Sequence, residues 1–120
     1  MNLKKLLTFS AMVIFLVITI LSLLPPKSGV ELPTNDKLSH FLAYSAISLN
    51  VCLLFTSFHL RLIYILAGIL AFSALIEFLQ QFVGRSCSFY DFLANTGGVI
   101  IGVGIYALIG RYLQPIIHKT

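Results

Sequence analysis

Charge is what this sequence has least of. Only 10% of its 120 residues are Asp, Glu, Lys or Arg, while 58% are hydrophobic and the mean hydropathy is +0.98. A soluble chain of this length would leave much of that apolar surface in contact with water. The composition therefore excludes an ordinary soluble domain and predicts a protein of the lipid bilayer.

Cysteine and clustered positive charge are also scarce. The two cysteines supply no disulfide framework, because Cys52 is predicted deep in a helix and Cys87 in a loop. The formal net charge of +4 comes from basic residues scattered singly at the ends of apolar blocks. That distribution is typical of membrane topology signals, so we expect no nucleic-acid partner.

Four apolar blocks are long enough to cross a bilayer, which takes roughly 20 helical residues. They cover residues 6–24, 40–58, 62–83 and 92–110, and they predict one membrane domain over residues 1–120. None alternates with a period of two, which argues against strands. The first block exceeds a signal-peptide core and lacks an A-x-A-like cleavage site, so we expect a retained helix. The predicted fold is an all-α membrane protein with four transmembrane helices in an antiparallel bundle.

Basic residues predict the orientation of this bundle. One side of the membrane would receive both termini and the short turn at residues 59–61, and the other side the loops 25–39 and 84–90. Five basic residues fall on the first side and three on the second. Those of the first side are Lys4, Lys5, Arg61, Arg111 and Lys119, and those of the second are Lys27, Lys37 and Arg85. The positive-inside rule therefore places both termini in the cytoplasm.

Polar residues recur at helical spacing near the extracytoplasmic ends of three blocks. Residues three, four or seven apart share a helix face, and hydrocarbon cannot satisfy their hydrogen bonds. We therefore expect these stripes to face one another around a polar pocket that opens outward. The stripes are Asp36, His40 and Tyr44; Ser73, Glu77, Gln81 and Gly84; and Asp91, Asn95, Gly98 and Gly102.

Each stripe also has a structural interpretation. A network of hydrogen bonds can lock membrane helices together without any ligand. Ser88 and Asp91 form a capping-box pattern at a helix start. Gly98 and Gly102 form a G-x-x-x-G motif, which usually marks close packing between helices.

The segments DKLSHFLAYSAIS and ALIEFLQQFVGRSCSFYDFLANTGGVIIG resemble the VanZ-like family of small bacterial membrane proteins. The matching positions lie in the second, third and fourth predicted helices: Asp36, Lys37, His40, Tyr44, Glu77, Gln80, Arg85, Asp91, Asn95 and Gly98. The resemblance implies a multi-pass protein of the bacterial cytoplasmic (inner) membrane. The family's namesake is associated with resistance to teicoplanin, which binds cell-wall precursors outside the membrane, but the resemblance implies no established reaction.

Three functions are compatible with these residues. In the first, the pocket binds a lipid-linked or cell-wall precursor, with Lys37 and Arg85 on phosphate and Gln81 and Asn95 as hydrogen-bonding groups. The full candidate binding set is Asp36, Lys37, His40, Tyr44, Glu77, Gln80, Gln81, Arg85, Asp91 and Asn95.

In the second, the protein is an enzyme that uses His40 as general base or acid and Glu77 or Asp91 to orient or protonate. A divalent metal at His40, Glu77 and Asp91 is a variant of this idea. No short ligand spacing in the sequence supports it, so the expectation is no metal and no cofactor. In the third, Gly98 and Gly102 dock a partner membrane protein or another copy of the chain.

Overall fold

The described part of the chain is almost entirely helical. A computed structural model describes residues 2–23, 36–55, 60–84 and 89–118, and no strand occurs among them. The helices are α1 (Leu3–Leu23), α2 (Asp36–Leu53), α3 (Leu60–Gln80) and α4 (Phe89–Ile117). A short 3-10 helix, Gln81–Val83, extends α3 and ends at Gly84, whose φ of 84° lies in the left-handed region that favours glycine. The predicted all-α fold with four helices is confirmed.

Three of the helices are long and apolar enough to cross a membrane, and α2 is shorter. The predicted span 40–58 differs from α2, which begins earlier, at Asp36, and ends at Leu53. Residues 56–59 lie outside the described part. At about 1.5 Å per residue, the 18 residues of α2 extend over about 27 Å, slightly less than the thickness of a hydrocarbon layer of roughly 30 Å.

The last helix is longer than its predicted span of 92–110. It runs from Phe89 to Ile117 because the hydropathy pattern locates the apolar segment and not the helix end. Beyond the apolar segment, side chains at the end of α4 and just after it bond to carbonyls at the end of α2 and just after it. Gln114 Nε2 donates to the Phe55 carbonyl, and His118 Nε2 donates to the Leu53 carbonyl at 3.2 Å. The bond from His118 satisfies a carbonyl that the end of α2 leaves without an intrahelical partner.

Close backbone packing joins α2 to α4, which share the largest interface in the described structure. A Cβ added at Gly98 would lie 2.5 Å from the Phe41 carbonyl oxygen, and one at Gly102 would lie 2.6 Å from the Ser45 carbonyl oxygen. The contacts advance together along both helices, so α2 and α4 run in the same direction. The glycine face is covered by α2, which leaves it unavailable for the docking of another protein.

The first helix attaches to this core through polar contacts. Asn50 Nδ2 donates to Ser10 Oγ at 2.7 Å, joining α2 to α1. Gln80 Nε2 donates to the Ser22 carbonyl at 2.9 Å, joining α3 to α1. Most of α1 remains exposed, as expected for a helix whose outer surface faces lipid. The polar residues near the start of α2, the end of α3 and the start of α4 therefore meet on the inner side of the bundle.

Candidate functional site

Three ionisable side chains from three different helices converge at one end of the bundle. His40 lies near the start of α2, Glu77 near the end of α3, and Asp91 in the first turn of α4. They are only 8%, 4% and 6% exposed. Each offers one potential metal-ligand atom, and these three atoms lie within 4.8 Å of one another. The arrangement combines one imidazole with two carboxylates, a set of groups able to bind a metal ion or to exchange protons.

A chain of hydrogen bonds fixes the orientation of the His40 ring. Asn95 is 1% exposed, and its Nδ2 donates to Ser73 Oγ at 2.6 Å. This orientation turns Asn95 Oδ1 toward His40 Nδ1, at 2.9 Å. Because Oδ1 can only accept, Nδ1 donates, and in a neutral imidazole Nε2 then retains the lone pair. Asn95 thus links α2, α3 and α4 and selects one tautomer of His40.

Two further residues of the predicted set are buried beside this network. Tyr44 lies one turn after His40, is almost fully buried, and has the Ser73 side chain as a hydrogen-bonding partner. Gln80 is also buried, but its amide nitrogen bonds to the Ser22 carbonyl of α1. Tyr44 therefore belongs to the polar cluster, whereas the described bond of Gln80 contributes to helix packing.

Gln81 does not share the buried face that its spacing from Glu77 predicts. Its side chain is exposed, and it lies in the 3-10 helix after the end of α3. The buried face of α3 instead follows alternating steps of four and three residues, the seam spacing of packed helices. Its members are Leu62, Leu66, Ile69, Ser73, Ile76 and Gln80, with Glu77 beside them. Gln81 falls outside this seam, which is the physical reason for the difference.

The remaining residues of the predicted binding set lie at the ends of the described segments or outside them. α2 begins at Asp36, but the side chains of Asp36 and Lys37 are outside the described part, and so is all of Arg85. Sequence reasoning gave no separate role to Ser73 beyond its place in the stripe, although it contacts both Asn95 and Tyr44. It missed Ser22, because the group that bonds to Gln80 there is a main-chain carbonyl, which leaves no side-chain signal.

Comparison with known proteins gives one match. The sequence model of the family described as VanZ/LLP1 matches residues 3–110, which includes every residue of the polar cluster. The comparisons with curated proteins and with solved structures give no match.

Proposed function

The chain belongs to the VanZ/LLP1 family, and from this premise we propose that its polar cluster binds the head group of a lipid-linked component of the bacterial cell envelope. The proposed location is the cytoplasmic (inner) membrane. The proposed topology is an antiparallel bundle of four spans with both termini in the cytoplasm. The cluster of His40, Glu77 and Asp91 then lies toward the extracytoplasmic surface, where wall precursors and teicoplanin are found.

The observation that carries this proposal is the burial of ionisable groups inside a membrane bundle. Glu77 lies six residues before Val83, the last residue of the 3-10 helix, which corresponds to roughly 9 Å of helix. A carboxylate at such depth costs a few kcal/mol, and such residues usually mark a functional site. Elsewhere the bundle is locked by uncharged groups, as in the Asn50–Ser10 bond. Structural locking therefore does not require the charged groups of the cluster.

An apolar groove supports a ligand that carries a hydrocarbon chain. It encloses about 560 Å³ among α1, α2 and α3, and its lining includes Met12, Leu16, Ile47 and Ile69. This volume is within the usual range of small-molecule sites. Ile47 follows Tyr44 by about one turn and Ile69 precedes Ser73 by about one turn, so two of the residues that line the groove lie next to the polar cluster along their helices. An amphiphile fits this succession better than a fully polar molecule does.

The helix pairing supports the proposed topology. Phe41 lies against Gly98 and Leu53 against His118, so α2 and α4 run in one direction. The rings of Phe15 and Phe72 pack with their centroids 4.4 Å apart and Ser22 bonds to Gln80, so α1 and α3 also run in one direction. His40 beside Glu77 pairs the start of α2 with the end of α3, as successive antiparallel helices do.

Native cysteines provide a direct test of the orientation. Cys87 lies in the segment between α3 and α4, outside the described residues, and a membrane-impermeant maleimide is expected to label it in intact cells. Cys52 is fully buried and serves as the internal control, so Cys87→Ser should abolish labelling. Labelling of Cys87 only after lysis would place the cluster at the cytoplasmic side and contradict the proposal.

Binding is tested with alanine variants of the cluster. We expect His40→Ala, Glu77→Ala and Asp91→Ala to accumulate in the membrane but to lose binding of a fluorescent lipid-linked wall precursor and any effect on teicoplanin susceptibility. Asn50→Ala is the matched control, because it removes a polar contact that lies away from the cluster. Equal loss of membrane abundance in all three cluster variants, with binding intact in whatever protein remains, would identify the cluster as a structural lock.

A second candidate function is acid–base catalysis on a bound lipid-linked substrate. It is favoured by the His40 tautomer, which leaves Nε2 free to accept a proton, and by the Glu77 carboxylate 3.8 Å from Nδ1. In an enzyme, Glu77→Gln should abolish turnover while ligand binding stays near normal. Unchanged turnover in Glu77→Gln would exclude this role for the carboxylate.

A further inference from the structure

We propose that His40, Glu77 and Asp91 bind one divalent transition-metal ion, and that zinc is the ion that best fits the donor set. One imidazole nitrogen and two carboxylate oxygens are ligands that zinc accepts in proteins. The three residues come from three helices, so the ion would connect α2, α3 and α4 at a single point. Metal binding is measurable without any lipid, and this inference therefore does not depend on the proposed head-group function.

The distances leave little movement for the ligands to make. Three atoms no more than 4.8 Å apart can all lie within about 2.8 Å of a common point. Zinc bonds to nitrogen and oxygen are about 2.0–2.2 Å long, so each donor would need to move inward by roughly 0.6 Å. A change of this size is within the reach of side-chain rotation.

The surroundings of His40 resemble the support that a metal-bound histidine receives. Such a histidine usually donates its second ring N–H to a neighbouring oxygen, which fixes the tautomer and the plane of the ring. Here Asn95 Oδ1 takes that proton from Nδ1 at 2.9 Å, and Ser73 in turn holds Asn95. Nε2 would then be the nitrogen that binds the ion, which requires Glu77 Oε1 to move from its position 3.8 Å from Nδ1 toward Nε2.

Charge balance favours a divalent cation. Two carboxylates buried in one membrane bundle are costly if both are charged, and an ion of charge +2 would offset that charge. Three protein ligands also leave a fourth position open, as in catalytic zinc sites. If the proposed function holds, this open position would accept a phosphate oxygen.

Metal content of the purified full-length protein tests the inference. The protein is prepared in detergent without a polyhistidine tag, stripped with EDTA, reloaded with zinc sulfate and analysed by mass spectrometry. We expect about one zinc per chain in the wild type, and at least tenfold weaker zinc binding in Glu77→Gln and Asp91→Asn. Asn95→Ala should weaken binding by about 10- to 100-fold, the range seen when a supporting hydrogen bond is lost.

His118→Ala is the matched control, because His118 bonds to the Leu53 carbonyl and lies away from the cluster. It should retain wild-type zinc content. Equal zinc in the wild type, Glu77→Gln and Asp91→Asn would place the ion elsewhere and overturn the proposal. A wild-type protein that retains none of zinc, manganese or cobalt after reloading would also overturn the proposal. This outcome does not depend on whether any variant folds.

Cobalt and lipid binding separate this inference from the proposed function. Cobalt in the wild type should give the visible absorption of a four-coordinate ion, and Asp91→Asn should lose it. Zinc binding without lipid binding supports the metal site alone and contradicts the head-group function. Lipid binding by a wild-type protein that retains no added metal would support the head-group function and overturn the metal site.

Discussion

Adding one methyl group to Gly98 or Gly102, the buried glycines of α4 that contact α2, should separate α2 from α4. A Cβ at Gly102 would lie 2.6 Å from the Ser45 carbonyl oxygen and 1.8 Å from Ser48 Oγ, whereas ordinary contact begins at 3.4 Å. The Ser48 side chain can rotate away, but it then loses its 3.2 Å bond to the Val99 carbonyl. The backbones must still move apart by about 0.8 Å, the difference between 3.4 and 2.6 Å.

Gly98→Ala should act on the polar cluster as well as on stability. Its Cβ would lie 2.5 Å from the Phe41 carbonyl oxygen, so α2 must withdraw by about 0.9 Å beside His40. A displacement of that size along the His40–Asn95 bond would stretch it from 2.9 to about 3.8 Å, beyond hydrogen-bonding distance. We therefore expect Gly98→Ala to lose binding of the lipid-linked precursor even in protein that remains folded.

The assay is thermal denaturation of the purified protein in detergent, read beside its abundance in membranes. Overpacking of this kind typically costs about 1–3 kcal/mol, which would lower the denaturation midpoint of Gly98→Ala and Gly102→Ala. Gly104→Ala is the matched control, because the same helix offers open space around a Cβ at that position. Midpoints for Gly98→Ala and Gly102→Ala equal to that of Gly104→Ala would refute the close packing of α2 against α4.

Two further predictions concern individual polar contacts. Gln80→Leu should lower the denaturation midpoint by removing the bond to the Ser22 carbonyl, while Gln81→Leu should leave it unchanged because Gln81 is exposed; equal effects would contradict the seam assigned to α3. Asn50→Leu should cost no more than about 0.6 kcal/mol, the average for hydrogen bonds between membrane helices, because Asn50 Oδ1 is buried without a hydrogen bond in the described structure. A loss above about 2 kcal/mol in the same denaturation assay would show that this bond holds α1 in place.

Hydropathy predicted the existence of the four helices better than their ends. Burial in lipid requires apolar side chains all round a helix, so the blocks were visible in composition alone. Helix ends depend on local hydrogen bonds, which hydropathy does not record. Past Gly110, Gln114 in α4 and His118 just after it bond to the carbonyls of Phe55 and Leu53, contacts between residues about 60 positions apart.

Helical spacing predicted which polar residues face inward, but a period of about 3.6 residues does not distinguish positions three and four residues away. His40, Glu77, Asp91 and Asn95 each lie on a predicted stripe and are buried. Positions three and four residues after Glu77 both lie near its face, and so the spacing alone did not distinguish Gln80 from Gln81. The apolar seam from Leu62 onward carries the missing information, because its 3.5-residue rhythm continues to Gln80.

Interhelical distances were beyond the reach of the sequence. A metal site built on one helix or hairpin has short, regular ligand spacing, and none connects His40, Glu77 and Asp91. Their donor atoms come together only because α2, α3 and α4 pack with a particular register. The absence of a spacing motif was therefore a weak argument against a metal in a bundle whose ligands come from three separate helices.

The position of the cluster also determines how a ligand would act on the bundle. The α2–α4 interface is extensive and held by backbone contact at two glycines, whereas α3 shares a much smaller interface with α4. A ligand bound by His40 and Asp91 from the tight pair and by Glu77 from α3 must therefore fasten α3 to that pair. At 100 times its dissociation constant, such a ligand adds about 2.7 kcal/mol of stability, so zinc should raise the thermal denaturation midpoint of the stripped protein. Glu77→Gln should abolish this increase, while Gly104→Ala should preserve it. An increase of equal size in Glu77→Gln would show that zinc connects α3 to the α2–α4 pair without this carboxylate.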